Sequence, residues 1–204
     1  MNDKNIYDKL KDLLEKSGGK YTILEDQVDV DLQMKFFEFA GNLRKNKRNE
    51  EEILKDIPLL YKDDSPIEEK KKILAEISDS ESVECFRELE KYMKVVEPEL
   101  KSWAILSFQH CRIGLESKLL DEHQVFISTG LGGKEDKLRY FIAFKNKSES
   151  DFSDTQKKII ENEFSFIYKQ NNCIIEKIDY LNQYFTLLCT MPVDCVLNDI
   201  ITSA

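Results

Sequence analysis

Apolar positions along this chain change their period once, near residue 120. Before that point they recur at helical spacing. Ile6, Leu10, Leu13 and Leu14 share one face of a helix over residues 4–16, which Gly18 and Gly19 stop at its C-terminal end. After a brief extended run from Tyr21 to Leu24, the spacing of Leu32, Phe36, Phe39 and Leu43 predicts a helix over 31–43. Phe36, Phe37 and Phe39 crowd into four positions there, so this helix is expected to pack deeply. A short helix follows around Ile53 to Leu60. Asp63, Asp64, Ser65 and Pro66 then signal another start, with proline at the first helical position, Glu68 and Glu69 in the first turn and an end near Ile77.

Residues 81–118 read as a helical hairpin: ESVECFRELEKYMKV, a break at Glu97 and Pro98, then PELKSWAILSFQHCRIGLE with its Trp103–Ala104 pair. This stretch resembles a HEAT-type hairpin, and the resemblance covers these residues alone. HEAT proteins stack several such hairpins into curved surfaces that hold other proteins, so the resemblance implies a protein-contact role. Two apolar stripes run along the second helix, one through Leu100, Ala104, Ser107, Cys111 and Leu115, the other through Trp103, Leu106, His110 and Ile113. More than half its circumference is apolar or small. It must therefore be covered on two sides, and it is expected between the other helices and the sheet. Gly114 inside it suggests a second backbone crossing close by.

Past residue 120 the period becomes two. Val125, Ile127 and Thr129 share one strand face, and Leu138, Tyr140, Ile142 and Phe144 share another. Gly130, Gly132 and Gly133, followed by Lys134, Glu135, Asp136 and Lys137, predict a solvated turn joining the two as an antiparallel hairpin. Ser153 with Gln156 forms a capping box ahead of a helix carrying Ile160, Phe164, Ile167 and Tyr168, which Asn171 and Asn172 end. Strands over 173–181 and 184–191 meet at an Asn182–Gln183 turn, and a last helix opens near Pro192 and Asp194. The fold class is α+β: an N-terminal helical bundle packed on a C-terminal four-stranded antiparallel sheet of order ββαββα, divided at residues 1–120 and 121–204. A circularly rearranged ferredoxin-like sheet has this element order. The last helix either docks on its own sheet or receives a partner, a second copy of the chain included.

Charge narrows the partners. The chain has a net charge of −9, with 21 basic and 26 acidic residues up to Lys118 and 9 against 13 beyond it. Neither half is a basic arm, so nucleic acid is disfavoured as a partner. The one basic cluster, Arg44, Lys45, Lys47 and Arg48, is followed at once by Glu50, Glu51 and Glu52, and reads as a mobile loop whose charges nearly cancel. No run of about 18 apolar residues offers a membrane span, and the N-terminus lacks an apolar run of signal-peptide length, so a soluble, cytoplasmic protein is expected. Cys85, Cys111, Cys173, Cys189 and Cys195 contain no CxxC pair and read as core residues rather than disulfides or zinc ligands.

Chemistry-bearing candidates are few. Glu25, Asp26, Asp29 and Asp31 lack the glycine and terminal glutamate of a calcium loop, and suit a helix entrance. The glycine-rich loop with Lys134, Lys137 and Arg139 offers an anion cradle, although neither nucleotide-binding glycine spacing is met. Gln109, Arg112 and Glu116 on the hairpin's second helix, with His110 and Ser128, form the other polar constellation. His110 is expected to be a partly buried histidine satisfied by a neighbour. No nucleophile with its base, catalytic carboxylate pair, metal site or cofactor is assigned. The reading is a non-catalytic adaptor or regulatory module that binds another protein. The alternative is a sensor or enzyme that takes an anionic small molecule at loop 130–137.

Overall fold

A computed structural model describes Leu14, residues 20–121 and residues 125–203. The helix expected over 4–16, apart from Leu14, and His123 lie outside the described residues. The chain divides into two compact units. Val28–Phe126 forms one, whereas Ile23–Gln27 belongs with the segment beginning at Ile127 in the other.

The first unit is helical. Helix α1 (Val30–Arg44) starts where the Asp29 carboxylate accepts the Leu32 N–H at 3.1 Å, which satisfies one of the unpaired donors of the first turn. Only Phe36 of its three phenylalanines is fully buried. Phe39 is half-buried and Phe37 is exposed, because a straight helix turns successive residues to different sides. Helix α2 (Glu50–Asp56) begins earlier than its apolar spacing suggests, since Asn49 caps it through the Glu52 N–H at 2.8 Å. At Pro58, which has no N–H for the helical ladder, the chain tightens into a 3₁₀ turn, Ile57–Tyr61.

Helix α3 (Ile67–Ser78) is the centre of this unit. Its residues from Ile73 to Ser78 are all buried, and it packs against α1, α4 (Val83–Tyr92) and α5 (Lys101–Leu120). Five successive positions of α5, Trp103 to Ser107, are buried as well, as a helix with two apolar stripes requires. The Trp103 indole donates to the Lys71 carbonyl at 3.0 Å and lies edge-on to Phe36 at 5.2 Å. Among the described residues, no backbone comes within 4 Å of a Cβ built at Gly114. A side chain there would meet only Glu81 Cγ, at 3.4 Å.

The second unit contains the four-stranded antiparallel sheet. Its strands are β3 (Gly133–Lys134), β4 (Lys137–Lys145), β5 (Ile174–Leu181) and β6 (Tyr184–Pro192), in the order β3-β4-β6-β5. Val125–Ile127, strand β2, is not the first strand of this sheet. It pairs with β1 (Tyr21–Ile23), so the hairpin expected between 125–129 and 138–144 does not form. Two-residue β3 takes the neighbouring place because the Glu135–Asp136 turn, with Glu135 at φ 56°, folds it straight back onto β4.

Helix α6 (Asp154–Gln170) carries the expected capping box, with Ser153 and Gln156 each bonded to the other's backbone. Phe164, Ile167 and Tyr168 of α6 meet Phe185, Leu187, Cys189 and Met191 of β6 in one core, which Ile200 of α7 (Leu197–Ser203) joins. Phe144 and Phe185, directly opposite in register, stack at 4.5 Å. A bulge between Ile175 and Lys177 shifts the β5 alternation, so that Ile175, Ile178 and Tyr180 all pack on that core. Among the described residues, no helix is long and apolar enough to cross a membrane.

Because only the flexible Glu81 side chain faces Gly114 among the described residues, Gly114→Ala is expected to raise the stability of the chain by about 0.5–1 kcal/mol, read from urea denaturation.

Candidate functional site

Two glycines shape the loop between Thr129 and β4. Gly132 lies at φ +71°, and a Cβ there would stand 2.3 Å from the Glu25 carbonyl oxygen. A Cβ on Gly133 would stand 2.4 Å from the Lys137 carbonyl oxygen. Only glycine fits at Gly132, where the backbone of Glu25 and Asp26 passes against the loop, and at Gly133, where the Lys137 carbonyl and the Ile23 side chain press in. The donors that would cradle an anion face this visiting segment. Gly133 N–H donates to the Glu25 carbonyl at 3.1 Å, and Glu135 N–H to the Glu25 carboxylate at 3.2 Å. The cradle thus holds a carboxylate supplied by the chain itself.

The three basic residues of this site have separate fates. Lys134 is exposed on β3, opposite Lys137 in register. Lys137 is buried, with its charge felt by the Cys173 thiol. Arg139 is held on both sides: one fork nitrogen donates to the Leu131 carbonyl at 3.0 Å, and two others grip Glu176 at 2.6 and 3.0 Å. Glu176 stands at the bulge of β5, so this ion pair reaches across β6, where Thr190 lies fully buried in register with Arg139. Each partner stabilises the other's charge. Bonding to Glu176 raises the Arg139 pKa, and bonding to Arg139 holds the Glu176 carboxyl below its usual range. Compared with protein-family models, with curated proteins and with solved structures, the chain finds no match. The site must be read from its own chemistry.

Gln109 and Arg112 lie on α5 in the helical unit, while Ser128 belongs to the other unit. Gln109 Oε1 and Arg112 Nε are shielded from solvent without a hydrogen bond among the described residues, and Arg112 approaches Glu116 only to 3.8 Å. His110 is satisfied by a neighbour, with Nδ1 3.2 Å from Ser78 Oγ. Ser78 spends its own proton on the Ala75 carbonyl at 2.7 Å, so the imidazole N–H is the donor of this pair and the serine is no activated nucleophile. Phe36 and Phe37 stand edge-on to the ring. Burial lowers the His110 pKa, opposed by Asp79.

The basic cluster ends α1 and fills the loop after it, and its main ion pairs are with carboxylates beyond the Glu50–Glu52 run. Arg44 donates to Asp79 at 2.9 Å, Lys47 pairs with the same carboxylate at 3.5 Å, and Arg48 bonds Asp56 at 2.7 Å and reaches Glu76 at 3.0 Å. Arg44, Lys47, Arg48, Glu76 and Asp79 line a shallow groove with Ala40, Leu43, Ile53 and Ala75. Glu76 is buried, which pushes its pKa upward against the pull of Arg48. Lys70, also buried, pairs with Glu97, which accepts the Tyr92 hydroxyl at 2.7 Å. Sequence spacing carries no signal for either network, because most partners lie on different helices or in the loops that join them. Among the described residues, no group of three or more histidine, cysteine and acidic side chains could hold a metal ion.

Gly132→Ala is expected to destabilise the chain by at least about 1–3 kcal/mol, through a left-handed backbone and a clash with Glu25, and to lower the urea midpoint accordingly. Since His110 is neutral when folded and charges more readily when unfolded, stability should hold above about pH 6.5 and fall as the pH drops below it. His110→Gln should flatten that slope in denaturation curves taken between about pH 7.5 and 5.5.

Proposed function

We propose that this chain is a non-catalytic adaptor or regulatory module that works by binding another protein. The observation that carries this reading is an apolar ridge on α1. Val30, Met34 and Phe37 fall on one helix face and are 50%, 66% and 39% exposed. Apolar side chains left in water at successive turns are what a partner protein can cover with gain, whereas a catalytic centre needs unspent polar groups. Arg44, Lys47 and Arg48 of the basic cluster are already engaged with Asp56, Glu76 and Asp79, which leaves little for a phosphate backbone. The likeness of residues 81–118 to a HEAT hairpin points the same way.

A second reading keeps the anionic small molecule at loop 130–137, with Lys134 exposed beside it. Such a ligand must displace the Glu25 carboxylate from the Glu135 N–H.

Thermal shifts against nucleotides and phosphorylated metabolites separate the two. A flat panel is expected. A shift that Lys134→Ala removes and Glu25→Gln enlarges would favour the small-molecule reading. For the partner recovered by affinity purification, Met34→Glu should weaken binding by about tenfold or more while leaving the melting temperature of the chain unchanged.

A further inference from the structure

The fold brings together two cysteines that share no sequence motif. Cys173 stands between α6 and β5, where Asn172 at φ 55° turns the chain and the Cys173 N–H closes onto the Tyr168 carbonyl at 2.8 Å. Cys195 stands in the turn between β6 and α7, with its N–H on the Pro192 carbonyl at 3.1 Å. Both thiols donate to one acceptor, the Asn171 carbonyl oxygen, at 3.3 and 3.7 Å, and they lie within hydrogen-bond reach of each other. Their exposure differs: Cys173 is buried, whereas Cys195 is partly open to solvent. A reagent therefore meets Cys195 first, and Cys173 waits behind it. Burial pushes the Cys173 thiol up to about 12 and raises the Cys195 thiol as well, and the Lys137 charge offsets only a small part of this at Cys173.

We propose that Cys173 and Cys195 form a dithiol site that closes reversibly to a disulfide by exchange with a low-molecular-weight disulfide. In the first step the Cys195 thiol loses its proton and its sulfur attacks the small disulfide. One S–S bond forms, another breaks, and one small thiolate leaves and takes up a proton. In the second step Cys173, likewise deprotonated, attacks the Cys195 sulfur of the mixed disulfide and expels the second small thiol. The two cysteines are oxidised by two electrons and one small disulfide is reduced to two thiols. The bond ties the start of β5 to the entry of α7, whose Ile200 lies in the core of this unit. The oxidised chain is thereby held against opening of its last helix. This proposal is independent of the protein-binding reading.

The test treats the folded full chain with oxidised glutathione, blocks remaining thiols with a maleimide under denaturing conditions, and cleaves before aspartate. That cleavage at Asp194 separates Cys195 from Cys189. Mass spectrometry is expected to find Cys173 linked to Cys195, with Cys85, Cys111 and Cys189 carrying maleimide. Reduced glutathione should reverse the link, and the oxidised chain should show a higher urea midpoint than the reduced one. Cys195→Ser, or Cys195→Ala should serine lower the melting temperature, should leave Cys173 a thiol under the same treatment. A lasting glutathione adduct on Cys195, a link between Cys173 and Cys189, or five unreacted thiols would each overturn the proposal.

Discussion

The contact of Glu25 and Asp26 with Gly132 and Gly133 decides more of this structure than any other. A backbone carbonyl placed 2.3 Å from where a Cβ would stand tolerates no residue but glycine, and the φ of +71° at Gly132 adds to the demand. With that approach made, the Gly133 and Glu135 N–H groups find their acceptors on Glu25, and the loop's hydrogen bonds are accounted for internally. Glycines that look like a ligand cradle in one dimension become, in three, the seat of a neighbouring strand's continuation.

The same economy governs the charges. A chain with a net charge of −9 still buries Lys70 and Lys137 and keeps Glu76 out of water. Lys70 is compensated by Glu97, and Glu76 by Arg48. A buried charge stripped of its partner is strongly destabilising, so these pairs bind the helical unit to one arrangement of its helix ends. Arg44 and Lys47, both converging on Asp79, are more exposed and screened, and contribute less.

Local signals were readable in the sequence, and long-range ones were not. The Ser153–Gln156 capping box, the Asn182–Gln183 turn and the Leu138 to Phe144 alternation depend on residues a few positions apart, and each appears where its spacing places it. A four-stranded antiparallel sheet followed from such signals, although its first strand is β3, formed by residues that read as turn, and not 125–129. Pairing of β2 with β1 did not, because the two strands are separated by the whole helical unit and no turn chemistry links them. The bulge at Glu176 changes which residues face the core without altering composition. At the candidate site, the glycines and Arg139 were visible, but their occupants, Glu25 and Glu176, are set by topology. The exposed ridge of α1 was hidden for a related reason: apolar spacing says which residues share a face, not whether anything covers it.

The segment Ile23–Gln27 has a consequence for how the molecule is made. It precedes the helical unit in the chain, yet the residues it belongs with begin at Ile127, and the Glu25 side chain bonds a residue 110 positions further along. Closing so long a loop is entropically costly and slows assembly relative to neighbours that meet locally. On a ribosome, the helices from Val30 to Leu120 can find one another while Ile23–Gln27 still lacks its seat. That segment docks only when the β3–β4 hairpin has left the exit tunnel, which makes it a late step in maturation.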